Sequence, residues 1–290
     1  MLQKQLTLMN IDTREQWEEW AQYRNTIGEV IKKCIERYGV NNGNLLLLGV
    51  GNGNDIPVEL LESKFNNITI VDLDDGALER FLARVSDKKK FNKVIIDLSG
   101  ISNQIKNAKE LLNRATSIQP VIDLSKLDKT YDLVVNCCFS TQLLTSHFYG
   151  TNEFQTQSLS PKVGQKLNEL SNRIHSSLFS GLKSKLVSNG VIIHMTDTFE
   201  LKHNKITGEY SPAMLPVSKI IKGDWRNIHL VLNHLQQLSR DGLYILGSAL
   251  PPELNDMFAT RTLFSLLWEF LHDDEEDRNY IVIVYVFQNQ

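Results

Sequence analysis

The chain has 290 residues, 42% hydrophobic and 22% charged, with a formal net charge of −3. That is enough for one full α/β core plus a cap. The slightly acidic balance argues against a surface built to grip nucleic acid, which needs concentrated Lys and Arg. The start, Met1-Leu2-Gln3-Lys4-Gln5-Leu6, has no secretory apolar core, and no apolar run approaches membrane-spanning length. A cytoplasmic protein with no membrane partner is expected. Cys137 and Cys138 are neighbours in an apparent strand and point to opposite faces, so a mutual disulfide is implausible there.

In chain order, residues 12–38 read as one amphipathic helix. Thr13 and Gln16 suggest a capping box, Trp17, Trp20, Ile27, Val30, Ile31, Cys34 and Ile35 recur at helical spacing, and Gly39 supplies the stop. The apolar run Leu45-Leu46-Leu47-Leu48 then enters Gly49-Val50-Gly51-Asn52-Gly53-Asn54-Asp55. A buried strand running into a glycine-rich turn and a helix is the nucleotide-binding opening of an α/β fold. Asn54 or Asp55 is expected to cap that helix, with Pro57 in its first turn. Nineteen residues after Gly53 comes Asp72, ending the apolar stretch 68–71, where its carboxylate suits the two hydroxyls of a ribose.

Further strands are expected at 93–97, 131–137 and 190–195, then at 243–247 and 280–287, the last two separated by an apolar helix over 263–270. The alternation implies right-handed crossovers and a parallel sheet. The expected fold is therefore a Rossmann-like, seven-stranded, mostly parallel α/β sheet with helices on both faces and the last strand antiparallel. Residues 1–42 would form an N-terminal helical cap on a domain spanning 43–290. That domain would carry a lid-like loop at 197–224 and a helical insertion near 250–278. The acidic run Asp273-Asp274-Glu275-Glu276-Asp277 would cap or solvate the turn before the last strand.

With three glycines, an acid after strand two and seven implied strands, the chain resembles the class I S-adenosylmethionine-dependent methyltransferases, from about residue 43 onward. Gly49-Val50-Gly51-Asn52-Gly53 is similar to their first motif, and Asp72 in Ile70-Val71-Asp72-Leu73-Asp74 to the acid that binds the ribose hydroxyls. Asp97 stands where the family often contacts adenine. Tyr131-Asp132-Leu133-Val134-Val135-Asn136 resembles the strand-four motif, and 186–193 the approach to strand five. Ser140-Thr141-Gln142-Leu143 extends the likeness to a set of bacterial methyltransferase-like proteins. The resemblance implies S-adenosylmethionine as cofactor, held by Gly49, Gly51, Gly53, Asn54, Asp72, Leu73, Asp97 and Asn136. Two positions depart from the pattern. Leu47 stands where many members carry an acid for the methionine ammonium, and Asn189-Gly190 replaces the common Gly-Gly.

Methyl transfer from a sulfonium needs positioning more than functional groups, and a base only where the acceptor must lose a proton. Ligands of open α/β sheets bind at the C-terminal strand ends. Ser140, Gln142 and His147 after strand four, and His194 ending strand five, are thus the candidate catalytic residues, with Tyr149 and Asp197 beside them. Asn136-Cys137-Cys138-Phe139 keeps the outer residues of an amino-methyltransferase Asn-Pro-Pro-Tyr/Phe motif but neither proline. No Cys/His spacing suggests a metal site. The expected acceptor is a small molecule or a peptide. A non-catalytic S-adenosylmethionine-binding protein is the main alternative. An NAD(P)-dependent oxidoreductase fits less well, because Ile56 stands where the third glycine of Gly-x-Gly-x-x-Gly belongs.

Overall fold

The computed structural model describes residues 2–149, 160–210, 224–248 and 250–289. Seven strands form one sheet: β1 (Asn44–Leu48), β2 (Asn67–Asp72), β3 (Phe91–Ile95), β4 (Tyr131–Cys137), β5 (Leu186–Asn204), β6 (Phe258–His272) and β7 (Glu276–Asn289), in the order β3-β2-β1-β4-β5-β7-β6. The first five run parallel. β7 slots between β5 and β6, antiparallel to both. This Rossmann-like architecture is the one the resemblance implied.

The order reverses beside β1, whose neighbours β2 and β4 leave it in opposite directions along the sheet. A crevice outside the strand ends is expected at such a switch point. Both faces are covered, which is why the central strands are apolar runs without alternation. Leu45 and Leu47 bury against α2 (Ala21–Tyr38), while Leu46 and Leu48 join the core under α5 (Ala108–Arg114) and α7 (Pro161–Lys183).

Three expectations are corrected. First, the N-terminal helix is two helices, α1 (Leu2–Asp12) and α2, joined by turns over 13–20. Thr13 caps nothing; its hydroxyl donates to Met9 O at 3.2 Å. The stop at Gly39 is present, with φ 68° and an amide bonded to Ile35 O.

Second, the expected helix at 263–270 is the middle of β6, so the insertion near 250–278 is mostly sheet, with only the short α9 (Leu254–Met257) helical. The stretch 243–247 is loop and turn, not strand. A strand covered on both faces shows no period of two, and an apolar run alone cannot be told from a helix. Here Phe264, Leu266, Trp268 and Phe270 turn toward α2, while Leu263 and Leu267 turn toward α8 (Ile228–Arg240).

Third, β5 continues to Asn204, so the first part of the expected 197–224 lid is strand, and residues 211–223 lie outside the described residues. Phe199 and Leu201 alternate with Glu200 and Lys202, the period a half-covered strand produces. The extension packs Phe199, Leu201, Ile281 and Ile283 beneath Val231 and Leu235 of α8. In the β6–β7 turn, Asp273 accepts from the amides of Glu275 and Glu276, as its acidic sequence led one to expect.

Candidate functional site

The turn after β1 is built by backbone. Gly49 N and Val50 N both donate to Val71 O, at 2.8 and 3.2 Å, tying the turn to β2. Gly49 and Gly51 hold φ at 63° and 50°, the left-handed region glycine adopts without penalty. A Cβ at Gly49 would stand 2.3 Å from the Phe139 ring, and one at Gly51 would stand 2.9 Å from Asn10 Oδ1. The turn is therefore a cradle that no side chain could share. The helix that follows, α3 (Val58–Lys64), starts later than expected: Pro57 precedes it, and neither Asn54 nor Asp55 caps it. Asn54 instead donates to Thr13 O at 2.6 Å.

Asp72 ends β2 with its carboxylate aimed back at this turn. Oδ2 accepts from Gly51 N at 2.8 Å and Oδ1 from Asp74 N at 2.9 Å. Each oxygen keeps a further lone-pair direction, and burial raises the carboxyl above its ordinary range against the pull of those amides. Asp74 caps α4 (Asp75–Leu82) through Gly76 N.

Gly49, Gly51, Asp72, Leu73, Asp97 and Gln142 line one cleft at the C-terminal edge of the sheet. Its apolar walls are Ile96, Leu98, Phe139 and Leu143. Asp97 braces its own loop: one oxygen accepts from Ser99 N and Oγ at 2.9 and 2.6 Å, the other from Ser102 N at 3.1 Å and from the Ser102 hydroxyl.

The cleft is roofed by α1, which supplies Leu2, Leu6 and Asn10. This helix is clipped at both ends. Asn10 donates to Asp74 Oδ2 at 2.9 Å and accepts through its carbonyl from Asn52 Nδ2 at 2.6 Å. Gln5 donates to the carbonyls of His147 and Tyr149, whose hydroxyl in turn donates to Asp12. Arg24 and Arg84 both lie over Trp17, their guanidinium carbons 3.6 and 4.7 Å from its ring centroid, which ties down the intervening turns. The sequence trace of this roof is Leu2 and Leu6 one helical turn apart, a spacing that marks a helix but not what it covers. The apolar stripe of α2 sends Trp20 and Tyr23 to Trp268 of β6 rather than to the cleft.

The remaining sequence candidates stand apart from the cleft lining. Asn136 Nδ2 donates to Ser140 Oγ at 2.5 Å and to His194 Nδ1 at 2.6 Å, while Asn136 Oδ1 accepts from Phe139 N. These groups lock the turn after β4 from beneath. His194 is 1% exposed and held well below ordinary histidine basicity by desolvation and by His175. His147 is fully buried, its pKa lowered to about 4 by desolvation, and neither ring nitrogen has a hydrogen-bond partner. Gly53 packs under Phe81. Among the described residues no three His, Cys, Asp or Glu side chains gather as a metal site, and no helix is long and apolar enough to cross a membrane.

Two carboxyls named separately in the sequence, Asp55 as a helix cap and Asp197 beside the strand-five site, both act here on one buried thiol. Asp55 and Asp197 are both carboxyls raised by desolvation to about 7. Both act on the thiol of Cys138, which the same burial drives up. Cys138 itself holds φ 58°, a left-handed conformation unusual for a non-glycine residue and concentrated at functional sites.

No protein-family model matches the chain, and no curated protein matches its sequence. Solved structures do. The chain is similar to the N-methyltransferase NodS from Bradyrhizobium japonicum, at 10% identity over 93% of this chain and 97% of that one, with a TM-score of 0.44. It is similar to a TehB-like S-adenosylmethionine-dependent methyltransferase from Corynebacterium glutamicum, at 12% identity over 98% and 100% of the two chains, TM-score 0.42. A putative RNA methyltransferase from Pyrococcus horikoshii matches at 12% identity over 95% and 90%, TM-score 0.43.

Proposed function

We propose that the chain binds S-adenosylmethionine in the cleft beneath α1 and transfers its methyl group to a small-molecule or peptide acceptor. The observation that carries this reading is the meeting, in one cleft, of the Gly49–Gly51 cradle and the Asp72 carboxylate. The two suit the methionine and ribose parts of the cofactor respectively. Asp72 retains acceptor capacity for the ribose hydroxyls after its two backbone bonds. Leu73, Ile96, Leu98 and Leu143 offer apolar surface for the adenine, with Gln142 as the polar group on the same wall. When bound, the cofactor supplies an activated methyl on a sulfonium, so the chain's own work is orientation and exclusion of water. Asn136, Ser140 and His194 fix the turn that carries Phe139, and α1 closes the cleft from solvent.

Calorimetric titration with S-adenosylmethionine and S-adenosylhomocysteine tests the reading without knowledge of the acceptor. Micromolar or tighter binding is expected, and absence of binding to folded protein refutes it. A non-catalytic cofactor-binding protein is the second reading, favoured by one observation: Leu47 is buried in the α2-side core and leaves the methionine ammonium without the usual acid. Release of S-adenosylhomocysteine during incubation with a metabolite extract separates the two.

A further inference from the structure

The two edges of the sheet are built differently. β3, at one edge, has five residues and carries Lys93, whose amine pairs with Asp75 and Glu79. Shortness and lysine are common guards of an edge whose backbone groups would otherwise pair with another chain. β6, at the opposite edge, runs for 15 residues and contains neither Lys nor Pro. Its pairing with β7 is regular from Thr262 to Glu269, bounded by register shifts at Thr260/Thr262 and Glu269/Leu271. Just beyond, Trp20 Nε1 takes the carbonyl of Phe270 at 2.9 Å. Between those limits alternate residues aim N–H and C=O outward, and among the described residues no strand meets them.

The exposed edge is also apolar. Leu263, Phe264, Leu266 and Leu267 stay part-buried although α2 and α8 cover the two faces of the strand. A strand laid along β6 would pair its backbone and remove more of that apolar surface from water.

The sequence of β6 is complementary to itself. Antiparallel pairing about a two-fold axis at Ser265 sets Leu263 opposite Leu267 and Phe264 opposite Leu266, with each side chain on its present face. The same register brings Arg261 to Glu269 at both ends of the paired stretch. Both residues are exposed, and neither enters an ion pair among the described residues. A shift of one residue would exchange the faces, and a shift of two would set Glu269 against Leu263 or Ala259. We propose that β6 is a self-association edge, through which two copies of the chain pair antiparallel about Ser265 and join their sheets into one. The cofactor cleft lies by β1 and β2, with β4, β5 and β7 between it and this edge, so both clefts stay open in the pair.

Sedimentation velocity on the full chain, from about 5 to 200 μM, reads the monomer–dimer equilibrium. One paired edge strand is a small interface, so a Kd of about 10–100 μM is expected. Arg261→Glu and Glu269→Arg should each weaken the dimer at least fivefold, because the two-fold axis counts each repulsive pair twice. An equimolar mixture of the two variants should recover wild-type association, since each Arg then meets a Glu of the other chain. The double variant R261E/E269R should recover it alone. A wild-type chain that stays monomeric at 200 μM overturns the proposal and leaves the edge to a different partner. A dimer indifferent to both reversals overturns it too, and so does a mixture that fails to recover association.

Discussion

Replacing Asp72 by Asn isolates the carboxylate on which the cofactor reading depends. The change keeps the shape but substitutes one acceptor oxygen by an NH2 donor. One backbone bond survives, to Gly51 N or to Asp74 N, and the other amide then faces a donor. Both lone-pair directions offered to the ribose lose their negative charge. Hydrogen bonds to charged groups are worth roughly 1.5–3 kcal/mol each. Two such bonds, taken at the low end of that range, give an expected loss of about 3 kcal/mol. At 1.4 kcal/mol per decade, that is roughly a hundredfold in Kd. Burial already disfavours the charged form of Asp72, so the neutral amide should not unfold the chain. Calorimetry with S-adenosylhomocysteine on Asp72→Asn and Asp72→Ala reads the loss, with circular dichroism confirming the fold. A Kd within threefold of wild type in a folded variant would refute the assignment.

Four other outcomes are expected. Asp55 has its carboxyl raised from 3.8 to about 7, so the unfolded chain releases the proton first. Its contribution to stability is complete below about pH 4 and is lost as pH rises toward 7, by at most about 4 kcal/mol. Asp55→Asn should flatten the dependence of urea stability on pH across that window and raise the melting temperature at pH 8; an unchanged slope contradicts this. His147, at about 4, and His194, lower than ordinary, should show flat ring-proton shifts from pH 5.5 to 8 by NMR, and a midpoint near 6.5 for either would overturn the burial argument. Gly49→Ala combines φ 63° with a Cβ 2.3 Å from Phe139 and should cost roughly 2–4 kcal/mol in urea denaturation. Adding Phe139→Ala should recover only the steric part. Leu6→Asp puts a charge into the roof of the cleft and should speed S-adenosylhomocysteine release at least tenfold in stopped-flow; an unaltered off-rate would show that α1 does not close the site.

Much of the cofactor half of this protein is written locally. The run 45–48, the glycines at 49 and 51, and Asp72 at the end of β2 occupy neighbouring strands, and each follows from steric or hydrogen-bonding demands read within a few residues. The strand over 131–137 and the helix stop at Gly39 were legible for the same reason. What local pattern could not give was partnership. Leu263–Phe270 is strand because β7 and two covering helices claim both its faces, and nothing in its own spacing distinguishes that from a buried helix. Leu2, Leu6 and Asn10 became the roof of the cleft because Asn52, Asp74 and the backbone of residues 147–149 hold α1 there across long stretches of chain. Asp55 and Asp197 lie 142 residues apart, and only the packing of β4 and β5 beneath α2 brings their charges to bear on one thiol. Sequence determines what each residue can do within the reach of its neighbours. Burial and charge environment belong to groups distant in the chain, and so were decided only when the sheet closed.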